Sequence, residues 1–170
     1  LGRFAVEFEA RLAELAGRRF GVSCSSGTAG LHMVVRALGI GDGDEVVTTP
    51  FSFVASANCL LYERATPRFV DIEEDRLGID PELAGQAMGP RTRGILPVQV
   101  FGRACRIDEI AATADAHGVP LMEDSCDALG SSIGGRPLGW YGAALVFAFY
   151  PHQPITTGEA GADGSDDAGL

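Results

Sequence analysis

The feature that most constrains the fold is a regular alternation of short apolar runs with longer amphipathic segments. Strand-like runs occur at 20–26, 44–50, 67–72, 93–101, 119–125 and 144–151, and helix-like segments at 4–16, 27–38, 53–64, 81–88 and 106–118. Strands that are separated by helices predict a mostly parallel sheet with helices on both faces. We therefore expect an α/β three-layer sandwich, in which ligands lie beyond the carboxyl ends of the strands.

The last ten residues depart from this alternation. The segment 161–170, GADGSDDAGL, contains one large apolar residue and is rich in glycine and aspartate, which are poor strand formers. We expect these residues to form a disordered tail, so that the folded part spans 1–160.

Charge and apolarity exclude several classes of partner. The chain carries 13 basic residues, all of them arginine, and 23 acidic residues, which gives a net charge of −10. Nucleic acids and anionic membranes bind basic patches, and no such patch is visible, so neither is expected as a partner. Segment 1–15 is amphipathic rather than signal-like, and no apolar run approaches the roughly 20 residues of a membrane span. We expect a cytoplasmic protein.

The four cysteines show no spacing typical of a zinc site or a disulfide framework. No two of them form a C-x-x-C motif, so reduced thiols are expected and no metal is expected. The four are Cys24, Cys59, Cys105 and Cys126.

The turn at 25–30, SSGTAG, joins a predicted strand to a predicted helix through small residues only. Small side chains allow a phosphate to approach the free backbone N–H groups at a helix start, and Thr28 adds a hydroxyl. A tightly packed turn without a ligand explains the same residues. The pattern lacks the G-x-G-x-x-G spacing of dinucleotide-binding folds.

A second candidate lies at 122–131, MEDSCDALGS, where a buried strand ends in two acids. A carboxylate in such a place is costly unless it meets a positive or proton-donating group, such as the protonated nitrogen of a pyridine ring. Asp124 is the candidate for this contact, and the alternative is that Asp124 or Ser125 caps a helix. Phe53, just after another strand, can stack on a flat ring or can be a core residue.

Taken together, these segments resemble the DegT/DnrJ/StrS family. Its members are fold type I, pyridoxal-phosphate-dependent aminotransferases that act on nucleotide-linked keto-sugars and related cyclitols. The resemblance implies that 1–160 is part of the family's large, cofactor-binding domain and that its small C-terminal domain is absent. The blocks that carry it, in the family's order, are SSGTAGLHMVVRALGIGDGDEVVTTPFSFVASAN, PRFVDI, GILPVQVFG, EDSCDALGS, GRPLGWYG and FAFYPHQPITTGEAG.

The resemblance also implies a set of cofactor contacts. Asp127 falls where the family often has a glutamine near the ring hydroxyl, and Ala148 falls where many members have a serine that touches the phosphate. The implied contacts are Gly27, Thr28 and Ala29 for the phosphate, Phe53 for the ring face, Asp124 for the ring nitrogen and Asp127 near the ring hydroxyl.

One departure from the family concerns the chemistry itself. The family turn resembles FYPNKQITTGEGG, whereas this chain has FYPHQPITTGEAG. Gln153 therefore stands at the position of the family's lysine, and the chain contains no lysine anywhere. An amide can neither form a Schiff base nor move a proton. We therefore expect pyridoxal 5'-phosphate or pyridoxamine 5'-phosphate to be held noncovalently, if bound, and the aminotransferase activity to be impaired.

Two alternatives remain open. A branch of the family, the keto-sugar dehydratases, uses a histidine at the lysine position together with pyridoxamine phosphate, and His152 lies one residue before that position. The other alternative is a non-catalytic partner, or pseudoenzyme, that pairs with an intact homologue. By family, the small-molecule partners are a nucleotide-linked keto-sugar and an amino donor in amino-sugar, polysaccharide or antibiotic biosynthesis, and the assembly is a homodimer.

Overall fold

Strands and helices alternate along the chain in the computed structural model, which describes residues 2–170. The strands are β1 (Phe20–Cys24), β2 (Glu45–Thr48), β3 (Thr66–Phe69), β4 (Thr92–Leu96), β5 (Met122–Asp124), β6 (Ser132–Ile133), β7 (Arg136–Pro137), β8 (Ala144–Ala148) and β9 (Gly161–Ser165). The α-helices are α1 (Arg3–Ala16), α2 (Gly27–Ala37), α3 (Ala55–Tyr62), α4 (Pro81–Ala87) and α5 (Ile107–His117). A short 3₁₀ turn covers Val100–Gly102.

Seven strands form one continuous sheet in the order β3-β2-β4-β5-β8-β9-β1. Two ladders, β3-β2-β4 and β5-β8-β9-β1, are joined by parallel bridges from Ile95 to Leu121 and from Val98 to Asp124. Strand β9 runs antiparallel to both of its neighbours, and the other pairs are parallel. Strands β6 and β7 form a separate antiparallel hairpin. The prediction of a mostly parallel sheet is confirmed.

Apolar side chains on the two faces of the sheet form the core. In β2, Val46 and Val47 point to opposite faces because side chains alternate along a strand. The Val46 face is covered by α2 and α3, with Leu31 and Leu60 among the fully buried residues. The opposite face is covered by α4 and α5 and, near β8, by α1. The three-layer arrangement therefore follows the expected pattern.

The helix ends follow ordinary capping chemistry. Asp80 caps α4, since its Oδ1 accepts hydrogen bonds from the N–H of Glu82 (2.8 Å) and of Leu83 (3.2 Å). Gly17 and Gly118 end α1 and α5 in the left-handed conformation that glycine adopts without strain. No helix within residues 2–170 combines the length and apolarity that crossing a bilayer requires.

The expectation of a disordered tail is wrong for residues 161–165. These residues form β9, a fully buried strand that lies between β1 and β8. Its composition gives little strand propensity, but each neighbour supplies a ladder of backbone hydrogen bonds, and large side chains such as Leu145 and Phe147 provide the apolar cover. Tertiary context therefore decides the conformation here, and the folded part extends past residue 160.

Candidate functional site

Three strands that run in the same direction end at one edge of the sheet. Strand β5 ends at Asp124, β8 ends at Ala148 and β1 ends at Cys24, and the strand registers pair both Ala148 and Cys24 with Gly161 at the start of β9. The turns that follow these strands contain the residues predicted from the sequence. Because ligands of open α/β sheets bind beyond the carboxyl ends of the strands, this edge is the candidate site.

The start of α2 offers free backbone donors. Ser26 is the N-cap, with its Oγ accepting a hydrogen bond from the N–H of Ala29 (3.1 Å) and its carbonyl accepting one from Gly30 (3.0 Å). The N–H groups of Gly27 and Thr28 make no hydrogen bond within the described part of the chain. Free N–H groups at the positive end of the helix dipole attract anions such as phosphate.

Close packing fixes the position of this helix start. A Cβ atom added to Gly27 would lie 2.8 Å from the Cβ of Ala148 and 2.9 Å from the Sγ of Cys126. A Cβ atom added to Gly161 would lie 2.3 Å from the carbonyl oxygen of Ser26. These glycines therefore allow the start of α2 to contact the end of β8, the start of β9 and the turn after β5 at the same time.

Asp124 is a buried carboxylate without a cationic partner. Its side chain is almost fully buried, its Oδ2 accepts a hydrogen bond from the Oγ of Ser56 (2.6 Å), and its Oδ1 accepts one from the N–H of Cys126 (3.2 Å). Burial raises the pKa of Asp124, whereas the hydrogen bonds from Ser56 and Cys126 act to lower it. No arginine or histidine forms an ion pair with Asp124 among residues 2–170. The group is therefore suited to a cation supplied from outside the chain.

Glu123, the adjacent acid, has a different environment. It is fully buried and its carboxylate accepts hydrogen bonds from the N–H groups of Gly139 (2.8 Å), Tyr141 (2.9 Å) and Gly142 (2.8 Å). Burial raises the pKa of Glu123, and these three hydrogen bonds and the nearby Arg18 act to lower it. Glu123 thus holds the loop before β8 in place.

In the turn after β8, Gln153 is half-buried and His152 is exposed. The N–H of Gln153 donates to the carbonyl of Tyr150 (2.9 Å), and its side-chain Nε2 donates to the Nε2 of His152 (3.3 Å). The Oε1 of Gln153 is buried without a hydrogen-bond partner in the structure described here. His152 is exposed, with its ring edge-on to Tyr150 at 5.2 Å between centroids. Its contacts are therefore within the turn.

The predicted contacts of Phe53 and Asp127 with a cofactor ring are not tested by the structure. Phe53 lies just before α3 with 75% of its surface exposed, and its ring packs on no other aromatic ring in the range that the structure covers. Asp127 is half-buried, and its negative charge acts to raise the pKa of Asp124. Stacking by Phe53 and a ring contact by Asp127 stay predictions.

Comparison with known proteins decides the family. A family profile described as "DegT/DnrJ/EryC1/StrS aminotransferase family" matches residues 1–170. The chain belongs to this family.

Curated relatives of this DegT/DnrJ/EryC1/StrS chain include two bacterial proteins. GDP-perosamine synthase of Caulobacter vibrioides is 36% identical over 170 residues, which is all of this chain and 46% of that protein. The spore coat polysaccharide biosynthesis protein SpsC of Bacillus subtilis is 39% identical over 164 residues, which is 96% of this chain and 42% of that protein. The chain therefore spans less than half the length of these curated relatives.

Solved structures of similar proteins establish the fold. DesI, crystallised in the presence of its TDP-sugar product, matches with a TM-score of 0.94 and 37% identity, over 99% of this chain and 43% of DesI. NtdA from Bacillus subtilis, with bound cofactor PMP, matches with a TM-score of 0.94 and 30% identity, over 99% of this chain and 38% of NtdA. The DegT/DnrJ/EryC1/StrS chain therefore has the fold type I architecture of pyridoxal-phosphate-dependent aminotransferases.

The sequence prediction missed two residues of the site. Ser56 lies in the first turn of α3 and donates to Asp124, and Ser52, in the loop before α3, is hydrogen-bonded to Ser56. No pattern in the sequence identified this contact, because it joins two distant segments. Gly161, which contacts Ser26, lies in the segment that was predicted to be disordered, so no pattern in the sequence identified it.

Proposed function

We propose that this chain is the cofactor-binding part of a sugar aminotransferase-family protein and that it binds pyridoxal or pyridoxamine 5'-phosphate without a covalent bond. The observation that carries the proposal is Asp124, a buried carboxylate at the carboxyl end of a central strand that has hydrogen-bond donors but no cation. A protonated pyridine nitrogen supplies the missing positive charge. When bound, the cofactor supplies an electron sink and a carrier for the amino group.

The residues around Asp124 fit the other parts of such a cofactor. The free N–H groups of Gly27 and Thr28 suit the phosphate, whereas the N–H of Ala29 already donates to the Oγ of Ser26. Ala148 offers no hydroxyl to the phosphate, which makes binding weaker than it would be with a serine there. The exposed ring of Phe53 is available to cover one face of the pyridine ring.

Gln153 limits what the chain can do with this cofactor. An amide nitrogen is not nucleophilic and an amide does not act as a general base near neutral pH, so Gln153 neither attaches the cofactor nor moves a proton. Its Nε2 donates to His152, which requires that the Nε2 of His152 carry no proton. We propose that the chain is therefore an impaired aminotransferase, and that a dehydratase-like role for His152 requires the turn to rearrange.

The printed names of the relatives support a substrate class. GDP-perosamine synthase is named for a nucleotide-linked sugar, DesI was crystallised in the presence of its TDP-sugar product, and SpsC is named for spore coat polysaccharide biosynthesis. We propose a nucleotide-linked keto-sugar and an amino donor as the small-molecule partners of the whole protein. We also propose that the chain pairs with a second copy or with an intact homologue, because large apolar side chains are exposed beside the candidate site, among them Phe53, Phe101 and Ile155.

Titration with cofactor tests the binding proposal. Pyridoxamine phosphate, followed by its absorbance and fluorescence, is expected to bind the wild-type chain reversibly, and Asp124→Asn is expected to weaken binding by about tenfold or more because the charge that stabilises the pyridinium is lost. Asp42→Asn is the matched control, since Asp42 is exposed in the turn before β2, at the opposite edge of the sheet. No saturable binding by the wild-type chain at millimolar cofactor would reject the proposal.

Borohydride treatment tests the role of Gln153. The wild-type chain is expected to release all pyridoxal phosphate after borohydride treatment, because it has no lysine to form the bond that borohydride reduces. Gln153→Lys is expected to retain part of the cofactor covalently, and Gln153→Lys with Pro154→Gln to retain more, since proline fixes one backbone angle in this turn. Mass spectrometry of the treated protein gives the readout. Two folded, cofactor-saturated variants without any attached cofactor would contradict the assignment of position 153.

A further inference from the structure

A chain of hydroxyl groups connects Asp124 with the protein surface. The Oγ of Ser52 lies 2.6 Å from the Oγ of Ser56, and the Oγ of Ser56 lies 2.6 Å from the Oδ2 of Asp124. Ser56 is 1% exposed, whereas Ser52 is half-buried in the loop before α3. The three side chains thus form a continuous path from the loop to a carboxylate in the interior.

When Asp124 is ionised, its charge fixes the direction of this path. An ionised carboxylate only accepts hydrogen bonds, so Ser56 donates to Asp124, and Ser52 must then donate to Ser56. Each hydroxyl is polarised by the next, which strengthens the bond at the carboxylate. The distance of 2.6 Å between Ser56 and Asp124 is in the short range typical of a hydroxyl that donates to an ionised group.

The same path can move a proton. When Asp124 loses its proton, that proton passes to the oxygen of Ser56, the proton of Ser56 passes to Ser52, and the proton of Ser52 passes to water. Each serine gains one proton and gives one away, so both are unchanged at the end.

We propose that Ser56 is a positioning residue that keeps Asp124 ionised and oriented toward a pyridinium nitrogen, and that Ser52 is the outer end of its proton path. The inference rests on the proposed function for its ligand, but the hydroxyl path itself is a property of the chain without cofactor. Ser56 does not contact the reacting atoms in this role. It acts through Asp124, by stabilising the carboxylate form that a pyridinium requires.

The other groups near Asp124 do not replace this contribution. Cys59 faces it from α3, and burial together with the charge of Asp124 raises the pKa of that thiol to about 12. Cys126 follows it in the turn after β5, where burial raises the pKa of its thiol well above the ordinary value. Asp127 raises the pKa of Asp124. Ser56 and the N–H of Cys126 therefore favour the ionised form of Asp124. The residues beside Asp124 on the neighbouring strands, Val98 and Val146, carry no charge.

Stability measured against pH without cofactor is the first test. Ser56→Ala is expected to lower the free energy of unfolding more at about pH 8 than at about pH 4, because the lost hydrogen bond is stronger to the ionised carboxylate. Thr48→Val is the matched control: Thr48 is also fully buried, but its hydroxyl donates to the neutral carbonyl of Leu96 (2.8 Å), so its cost is expected to be independent of pH. Equal, pH-independent costs for both variants would overturn the proposal.

Binding of pyridoxamine phosphate is the second test. Ser56→Ala is expected to weaken binding by about tenfold, with the binding optimum shifted in pH, and Ser56→Thr is expected to restore both because it keeps the hydroxyl. Ser52→Ala, at a half-buried loop position that tolerates change, is expected to shift the pH optimum of binding in the same direction as Ser56→Ala, but by less. This variant keeps the test decisive if Ser56→Thr fails to fold.

The two tests separate the possible failures. A wild-type chain that binds no cofactor rejects the proposed function, and the pH dependence of stability still decides whether Ser56 controls the charge of Asp124. A wild-type chain that binds cofactor, with Ser56→Ala and Ser52→Ala binding it equally well and with the same pH profile, rejects the role of the hydroxyl path alone.

Discussion

Four carboxylates are buried in the sheet, and they differ in how well their charge is stabilised. Glu45 in β2 forms ion pairs with Arg68 and Arg91. Glu123 accepts three backbone hydrogen bonds, and Asp124 accepts one from a hydroxyl and one from an N–H. Asp163 in β9 has no such support: its Oδ1 is buried without a partner, close to Gly30 of α2 and to Val146 of β8. Burial raises the pKa of Asp163 to about 7.

Asp163 is therefore expected to make the fold less stable at high pH. An unfolded aspartate has a pKa of about 4, so between about pH 4 and pH 7 the unfolded chain has already lost a proton that the folded chain still holds. The free energy of unfolding thus falls as pH rises through this window and stays low above it. Asp163→Asn removes the charge and is expected to be more stable than wild type by a few kcal/mol at about pH 8, and to lose this advantage at about pH 4.

Urea denaturation across this pH range provides the measurement. Asp42→Asn, at an exposed position, serves as the control and is expected to leave the pH dependence of wild type unchanged. A slope of stability against pH that is the same in Asp163→Asn as in wild type would show that Asp163 is not the titrating group.

At this scale the sequence identifies residues that act through their own chemistry. Asp124 was predicted because an acid at the end of an apolar strand is costly without a partner. The hydrogen bond from Ser56 was not predicted, since it joins residues that are 68 positions apart. The half-buried position of Gln153 and the exposed position of His152 depend on the turn geometry, which the letters HQP do not determine.

Strand β9 shows how an element can form against its own propensities. Its residues are small, and the two glycines differ in what surrounds them. A Cβ atom added to Gly161 would lie within 2.7 Å of three backbone atoms of Ser26 and Gly27, whereas one added to Gly164 would meet the side chain of Leu145 at 3.2 Å. Backbone cannot move aside as a side chain can. Gly161 is therefore required for α2 to contact the sheet.

Gly161→Ala is expected to destabilise the fold by roughly 2–3 kcal/mol through overpacking, and to displace the start of α2. Gly164→Ala is the matched control in the same strand, with an expected loss of about 1 kcal/mol or less because Leu145 can adjust. Urea denaturation measures both losses. A second readout, cofactor titration, is expected to show weaker binding for Gly161→Ala than for Gly164→Ala. Equal losses in stability for the two variants would contradict this account.

The regular elements were predictable, and β9 was not, for a physical reason. The buried strand 144–148, ALVFA, and helix 81–87, with Asp80 and Pro81 at its start, carry local signals that agree with their final environment. In β9 the apolar cover comes from neighbouring elements, so the segment GADGS contains no signal of its own burial. A local sequence pattern reflects a residue's neighbours along the chain, and it contains no information on stabilising contacts with residues that are distant in the sequence.

At the scale of the whole molecule, exposed aromatic surface is expected to cause association. Phe101 is 72% exposed with a left-handed backbone (φ 54°), and it packs edge-on to Phe51. Sedimentation velocity at micromolar to millimolar concentration is expected to show dimers or larger species despite the net charge of −10. Phe101→Asn is expected to reduce association, because asparagine removes the apolar ring and tolerates this backbone conformation.

Phe4→Asn is the matched control for Phe101→Asn. It alters an equally exposed ring on α1, where no site residue lies. A wild-type chain that sediments as a monomer throughout this concentration range would contradict the expected association. Equal effects of Phe101→Asn and Phe4→Asn would show that association does not depend on the face near the candidate site.

The position of β9 between β1 and β8 has a consequence for how the protein is made. A ribosome releases β1 before β2 to β8 and releases β9 after them, yet β9 is the neighbour through which β1 joins the sheet. Until then the nascent chain exposes the unpaired edges of β1 and β8, together with the apolar side of α1 that packs near them. Synthesis that stops or stalls before residue 165 therefore yields a product with two open strand edges, which favour aggregation.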